Sequence, residues 1–254
     1  MPAKIRLEQF QGVAHVTLSY PKRFNAMSRA MWRDLRTVFE RIQGMTDARC
    51  VLVTGEGAHF CAGGDISEYA SFRFNETSLR AFHEEEVWGA LSAMLACDVP
   101  MVAQIEGNCM GAGVEIASCC DIRLAAQSAR FGAPIARLGF PMAPREAALV
   151  ARETGLATAR QMLLEAAVFS ATDMLQRGFL SRVVADADVS PVAQATVQRI
   201  CELAPQAARL NKQTLRALVS DPPSSLLATA YDYADSVEQR EGISAFLEKR
   251  PPRF

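Results

Sequence analysis

The chain has 254 residues, of which 50% are hydrophobic, 22% charged and 7% aromatic, and its formal net charge is −1. This composition predicts one globular domain with a sizeable core, and the near-neutral charge argues against nucleic-acid binding. Seven cysteines without a CxxC pair argue against a disulfide framework or a structural zinc site, and we expect no metal. The sequence carries neither an apolar signal region nor a membrane-length apolar stretch, so we expect a cytoplasmic protein. Cys119 and Cys120 lie in an apolar run, and we expect them to be buried, reduced thiols.

The first half of the chain predicts strands that alternate with helices. Residues 4–10 and 13–20 alternate in polarity around Gln11-Gly12, which predicts a β-hairpin. Ser28 is an N-cap candidate for a helix that ends at Gly44, and the apolar run 50–54 predicts a buried strand. The elements predicted next are a helix at 78–97, a strand at 101–105, a helix at 111–120 and short strands at 121–125 and 129–132.

The second half is helical in pattern from about Arg145 onward. Its interruptions are Val183-Val184, Pro191, Pro205 and Pro222-Pro223. Strands alternating with helices, followed by a helical tail, predict an α/β fold. We expect an α/β core over residues 1–190 and a C-terminal helical region over residues 191–254.

Two glycine-rich segments follow predicted strands. They are Phe60-Cys61-Ala62-Gly63-Gly64-Asp65 and Gly107-Asn108-Cys109-Met110-Gly111-Ala112-Gly113-Val114-Glu115. Backbone N–H groups next to glycine can approach a ligand closely and stabilise an oxygen that becomes negative during a reaction. Glu115 lies one helical turn after Ala112, between apolar neighbours that make an unpaired charge costly. The two segments therefore predict an oxyanion hole with an acid or base beside it.

The motifs resemble those of the crotonase superfamily, the enoyl-CoA hydratase and isomerase family. The matching segments are Pro21-Lys22-Arg23-Phe24-Asn25-Ala26-Met27, residues 55–66 and 107–121, Phe131-Gly132-Ala133-Pro134 and residues 241–250. They occur in the family's order and spacing and extend almost to the last residue. The resemblance implies a spiral of β-β-α units around two roughly perpendicular sheets, a C-terminal helical region, and assembly as a homotrimer or a hexamer of two trimers.

The resemblance also implies an acyl-coenzyme A thioester as substrate, with no tightly bound cofactor and no membrane or nucleic-acid partner. The N–H groups of Gly64 and Ala112 would hold the thioester oxygen, and Glu115 would be the acid or base. The residues implied in coenzyme binding are Lys22 and Arg23 near the phosphates, Ala62, Gly64 and Ile66 beside the adenine, Phe246 and Lys249 over the nucleotide, and in addition Ala26 and Asp65. We also expect Asp65 to cap the helix that follows its loop.

One position departs from the family pattern. Hydratases of this family use two glutamates, one matching Glu115 and one directly after the proline that matches Pro134, where this chain has Ile135. Water addition needs a base that activates water at Cβ and an acid that protonates Cα. The sequence therefore predicts Glu115 as the single acid/base and puts full hydratase activity in doubt.

The sequence is compatible with four functions. An isomerase would shuttle a proton between Cα and Cγ, a decarboxylase or C–C lyase would need chiefly the oxyanion hole, and a non-catalytic member would only bind acyl-CoA. A hydratase would need a substitute acid, for which the candidates are Glu68, His83, Glu84, Glu85, Glu86 and Arg145. The run Glu84 to Glu86 is typical of a solvated helix face, and a surface or packing role is expected for His83.

Overall fold

The computed structural model describes residues 3–218 and 236–253, the second range without the side chains of residues 239, 240, 243, 244, 246 and 247. The predicted interruption at Pro222-Pro223 lies outside these residues. The strands described are β1 (Lys4–Phe10), β2 (Val13–Ser19), β3 (Cys50–Gly55), β4 (Met101–Ile105), β5 (Asn108–Met110), β6 (Ile122–Ala126), β7 (Arg130–Gly132), β8 (Val168–Ser170) and β9 (Arg182–Val184). The α-helices described are α1 (Arg29–Gln43), α2 (Glu76–Ala81), α3 (Trp88–Ala96), α4 (Ala112–Ser118), α5 (Pro144–Thr154), α6 (Leu156–Leu164), α7 (Ala171–Gln176), α8 (Val189–Cys201), α9 (Pro205–Ala217) and α10 (Val237–Glu248).

The larger of two sheets has six strands in the order β1-β2-β3-β4-β6-β9. The predicted hairpin is confirmed, because β1 and β2 pair antiparallel, and the other neighbours pair in parallel. A smaller sheet has the order β5-β7-β8. The α/β fold class expected from the sequence is confirmed.

The two faces of the larger sheet are buried by different helices. Val51 and Val53 pack with Leu35 and Phe39 of α1 in the main apolar core. The alternate residues of β3 face the opposite side of the sheet, where Leu52 packs in a second apolar cluster that includes Val197 of α8. Burial on both faces explains why β3 and β4 are continuous apolar runs. Because α8 spans residue 190 and packs on this sheet, the division at 190 stays a prediction.

Several predicted boundaries need correction. The first helix agrees with its prediction, since Ser28 caps α1 through Met31 N–H and Gly44 ends it. The helix predicted at 111–120 is shorter and covers Ala112–Ser118. The three-residue strands β5 and β8 had no distinct sequence signal, because such short strands are stabilised by their partners in the sheet rather than by their own pattern.

The helix predicted at 78–97 begins earlier and is not uniform. It consists of α2, a π-helical turn at Phe82–Val87, and α3. A π-helical turn inserts one extra residue into the helix and re-aims the side chains around it, and such turns are frequent at functional sites. Here it brings Phe82, His83 and Val87 to the wall of one cavity.

Candidate active site

The two glycine-rich segments lie side by side. Cys61 and Cys109 form an isolated parallel bridge, and Met110 N–H donates to the Cys61 carbonyl at 2.8 Å. A Cβ atom added to Gly113 would lie 2.8 Å from that carbonyl oxygen, closer than side chains tolerate. Glycine at position 113 therefore permits the close approach of the two segments.

Two backbone N–H groups at this junction are free to bind a ligand. Gly64 follows Gly63, whose φ of 113° favours glycine, and Ala112 is the first residue of α4. Within the described part of the chain, neither the Gly64 N–H nor the Ala112 N–H donates to any acceptor. Both residues line the same cavity.

Glu115 presents a buried carboxylate to this cavity. The residue is 6% exposed, and every residue of α4 is buried. None of the described residues donates a hydrogen bond to its carboxylate oxygens. Burial raises the pKa of Glu115 well above its usual range, and the negative charge of Glu146 raises it further. The side chain therefore holds its proton more tightly than an exposed glutamate does.

The cavity has a volume of about 320 Å³ and mainly apolar walls. Trp32, Phe82, Ile135, Phe140 and Met142 contribute apolar surface. This volume is at the lower end of the range of small-molecule sites. An apolar chamber with two free N–H groups and one buried acid suits an apolar acyl group whose oxygen becomes negative.

The comparisons with known proteins identify the family. The family model for enoyl-CoA hydratase/isomerase matches residues 8–254. The chain belongs to the enoyl-CoA hydratase/isomerase family. A probable enoyl-CoA hydratase from Rhodobacter capsulatus is 33% identical over 98% of this chain and 97% of its own length.

Solved structures of family members have the same fold. An enoyl-CoA hydratase/carnithine racemase from Magnetospirillum magneticum superposes with a TM-score of 0.95 at 36% identity, covering 100% of this chain and 96% of that one. Pseudomonas aeruginosa AtuE gives a TM-score of 0.91 at 33% identity, covering 98% of each chain. These likenesses confirm the crotonase superfamily and its fold.

Enzymes of the enoyl-CoA hydratase/isomerase family act on CoA thioesters without a tightly bound cofactor. In residues 3–218 and 236–253, no three His, Cys, Asp or Glu side chains cluster so as to hold a metal ion. No helix of the described ranges is both long and apolar enough to cross a membrane. The seven cysteines are free, and Cys119 and Cys120 are buried as predicted.

The residues expected to bind the coenzyme divide into two groups. Ala62, Gly64 and Ile66 line the cavity. Lys22 and Arg23 are exposed in the 3₁₀ turn Pro21–Arg23. This turn adjoins the cavity wall. Phe24 directly follows the turn, and its carbonyl accepts a hydrogen bond from the N–H of Ala62, which lines the cavity, at 3.0 Å.

Of the remaining members of that set, Ala26, Asp65 and Lys249 do not line the cavity. Ala26 is buried, and the Asp65 carboxylate caps the turn Ile66–Ser71 by accepting from Ser67 N–H at 3.1 Å. The expectation that Asp65 is a cap is confirmed. Lys249 is exposed after α10, and the side chain of Phe246 lies outside the described residues.

Most of the substitute acids considered from the sequence lie elsewhere. Glu68 accepts from Arg29 N–H at 2.7 Å, and Glu86 pairs with Arg29 and Arg33. Glu84 and Glu85 are exposed, which agrees with the predicted solvated face, and Glu84 pairs with Arg145 at 3.2 Å. These residues do not line the cavity.

The surface or packing role expected of His83 stays a prediction. Its side chain is 16% exposed, lines the cavity and lies with Nδ1 2.8 Å from Glu146 Oε1. Glu146 also lines the cavity and is 3% exposed, and sequence reasoning missed it. A signal was present, because Glu146 shares the buried face of α5 with Leu149 and Val150 at helical spacing. An acid on an apolar helix face is unusual enough to mark a functional candidate.

Proposed function

We propose that this chain is an acyl-CoA enzyme that stabilises a thioester enolate and exchanges a proton with the carbon next to the thioester. The N–H groups of Gly64 and Ala112 form the oxyanion hole, and Glu115 is the acid/base. One observation carries the proposal: two N–H groups without acceptors in the described chain and one buried carboxylate line a single apolar cavity.

Proton removal from Cα moves negative charge onto the thioester oxygen. Fixed N–H donors stabilise that charge without reorganisation, and their effect is larger in a dry cavity than in water. Glu115 has no hydrogen-bond donor among the described residues to compete with the substrate for its carboxylate.

The coenzyme part of the substrate is proposed to extend from Ala62 and Ile66 toward Lys22 and Arg23, which supply positive charge for phosphates. Ala26, Asp65, Phe246 and Lys249 complete the proposed coenzyme site. The proposed assembly is a homotrimer or a hexamer of two trimers, and the proposed location is the cytoplasm. These parts rest on the family resemblance and on the exposure of the basic turn.

Ile135 on the cavity wall favours a second candidate, a decarboxylase or C–C lyase. Loss of CO₂ or cleavage of a C–C bond yields the enolate without a second carboxylate. A non-catalytic acyl-CoA binder would also tolerate Ile135, but it would have no need for a buried Glu115. The first proposal accounts for both residues.

A thioester panel tests these alternatives. Crotonyl-, 3-enoyl-, methylmalonyl- and aryl-CoA are incubated with the enzyme and analysed by chromatography and mass spectrometry. Hydration adds the mass of water, isomerisation changes retention only, and decarboxylation loses the mass of CO₂. Isomerisation or hydration that is lost in Glu115→Gln supports the proposal. Turnover that is unchanged in Glu115→Gln on every active substrate would contradict it, and binding without any turnover would favour the non-catalytic function.

A further inference from the structure

A second acidic side chain in the cavity has no role in the function proposed above. Oε1 of Glu146 lies 2.8 Å from His83 Nδ1, within hydrogen-bond distance. Among the described residues nothing donates to its other carboxylate oxygen, Oε2, and the residue lines the cavity together with Glu115. One oxygen of Glu146 is therefore fixed in place, while the other is available to a ligand.

Arg73 determines which ring nitrogen of His83 carries the proton. Arg73 Nη2 lies 3.2 Å from His83 Nε2. A guanidinium group only donates hydrogen bonds, so Nε2 of His83 must be the acceptor. The proton of the neutral imidazole is then on Nδ1, where it donates to Glu146. His83 has both ring nitrogens engaged, so it orients Glu146 rather than acting as a base itself.

The elements around the cavity are built to hold this arrangement. The π-helical turn Phe82–Val87 carries His83 to the wall, and Pro144 begins α5 so that Glu146 lies in its first turn. The guanidinium of Arg73 is held over the ring of Phe140, 3.8 Å from its centroid. Separate parts of the chain thus converge on one carboxylate.

A purely structural role for the His83–Glu146 contact would not explain the free carboxylate oxygen of Glu146. A hydrogen bond that only tied α5 to the π-helical turn Phe82–Val87 would need no open oxygen in the cavity. The negative charge of Glu146 also acts on Glu115 and favours the protonated form of that residue. Two buried carboxylates that share a cavity favour a state with one proton and one negative charge.

We propose that Glu146 is the second acid/base carboxylate of this enzyme and replaces the glutamate that is missing at Ile135. We further propose that the reaction is the reversible addition of water to a 2-enoyl-CoA thioester. This inference rests on the enolate function proposed above and names its reaction. His83 is a positioning residue that orients Glu146.

Glu115 and Glu146 together supply and accept the protons that water addition requires. The water oxygen bonds to Cβ while Glu146 takes the proton that the water loses. The electrons of the double bond move through Cα onto the thioester oxygen, which Gly64 and Ala112 hold. When the enolate collapses, Glu115 gives its proton to Cα. One proton enters the pair and one leaves it, so a single proton transfer between the carboxylates restores the starting state.

Two assays separate this inference from the function on which it rests. The first follows water addition to crotonyl-CoA with H₂¹⁸O, and the second follows exchange of the Cα hydrogens of butyryl-CoA in D₂O, both by mass spectrometry. Exchange needs the oxyanion hole and one base, whereas hydration needs both carboxylates. Glu146→Gln should lose water addition by roughly 100-fold or more. At a pH above the exchange midpoint of both proteins, it should keep Cα exchange within about threefold of the native enzyme. Glu84→Gln, an exposed carboxylate next to His83 in sequence, is the matched control and should keep both.

Rescue variants guard against a merely structural explanation. Ile135→Glu added to Glu146→Gln returns a carboxylate to the cavity and should recover part of the water addition. His83→Leu should lower kcat for hydration more than it raises KM, and His83→Asn, whose amide can replace the Nδ1 donor, should recover part of that loss.

Each outcome is decisive. Equal hydration by the native enzyme and a folded Glu146→Gln variant would overturn the inference. A native enzyme that exchanges Cα hydrogens but adds no water to the 2-enoyl thioesters would overturn it too, and would leave the enolate function standing. A native enzyme with neither activity would overturn both.

Discussion

The carboxylates of Glu115 on α4 and Glu146 on α5 line one cavity, and the charge of the second raises the pKa of the first. The larger cause of the shift is burial. The charged groups and titratable side chains around Glu115 in this cavity are Glu146, His83, Tyr69, Arg73 and Arg137. Among these groups, it is the charge of Glu146 that raises the pKa of Glu115.

This relationship predicts the pH dependence of Cα exchange. As a base, Glu115 must be ionised, so exchange should rise with pH through a midpoint above the usual value for a glutamate. Glu146→Gln removes the neighbouring charge and should move that midpoint to lower pH. The measurement is the rate of deuterium incorporation into butyryl-CoA from pH 4 to pH 9. A midpoint at or below that of a free glutamate would contradict the buried state of Glu115.

The same shift predicts how stability depends on pH. The folded state binds the Glu115 proton more tightly than the unfolded state does, so this group stabilises the fold at low pH, and that contribution is lost as pH rises from the usual glutamate pKa through the raised one. Glu115→Gln removes the ionisation. The Tm of the variant relative to the native protein should therefore be higher at pH 8 than at pH 5, as measured by calorimetry. A constant difference would count against the raised pKa.

Ala112 allows a direct test of the oxyanion hole. It is the first residue of α4, a position where proline is accepted because its N–H makes no helical hydrogen bond. Ala112→Pro deletes the N–H and should lower kcat by roughly 100-fold to 1,000-fold. Ala112→Gly keeps the N–H and should stay close to the native rate. Circular dichroism checks that both variants fold, and equal rates for the two would argue against a role for this N–H.

Gly64 predicts a double-mutant effect. A Cβ atom at this position would collide with the Tyr69 hydroxyl, and Tyr69 packs edge-on against Phe72 and Phe140, which limits its movement. Gly64→Ala should therefore abolish most turnover. Tyr69→Phe removes the colliding oxygen and leaves the nearest ring carbon at 3.2 Å, so the double variant should recover part of the activity. Additive losses in kcat/KM would show that the contact is not responsible.

The basic turn Pro21–Arg23 predicts a change in KM. Lys22 and Arg23 are exposed, and each exposed ion pair is worth about 0.2–1 kcal/mol. Replacement of both by alanine should raise KM for an acyl-CoA roughly threefold to tenfold without changing kcat, and less so at high salt. Lys4→Ala, an exposed cation on β1, is the control. An unchanged KM for the double variant would remove these residues from the coenzyme site.

The sequence predicted those parts of the fold that have a strong local signal. The hairpin and the capped helix after Ser28 have periodic patterns with clear end signals, and the buried strand β3 is a continuous apolar run that ends at Gly55. The strands β5 and β8 and the π-helical turn do not, because they depend on contacts with distant segments.

The residues of the candidate site likewise differ in whether a local sequence signal predicts them. Gly64, Ala112 and Glu115 were predicted because each lies in a glycine-rich segment after a strand. Glu146 was missed, because its partner His83 is 63 positions away and meets it only through tertiary packing. A single sequence reveals an acid on an apolar helix face, but not which side chain orients it.

The enolate held beside Glu115 is tested most directly by deuterium exchange at Cα of butyryl-CoA, measured in parallel for the native enzyme and for Glu115→Gln. We expect exchange by the native enzyme and a loss of roughly 100-fold or more in the variant, with acyl-CoA binding retained. Exchange at the same rate in both proteins would contradict it.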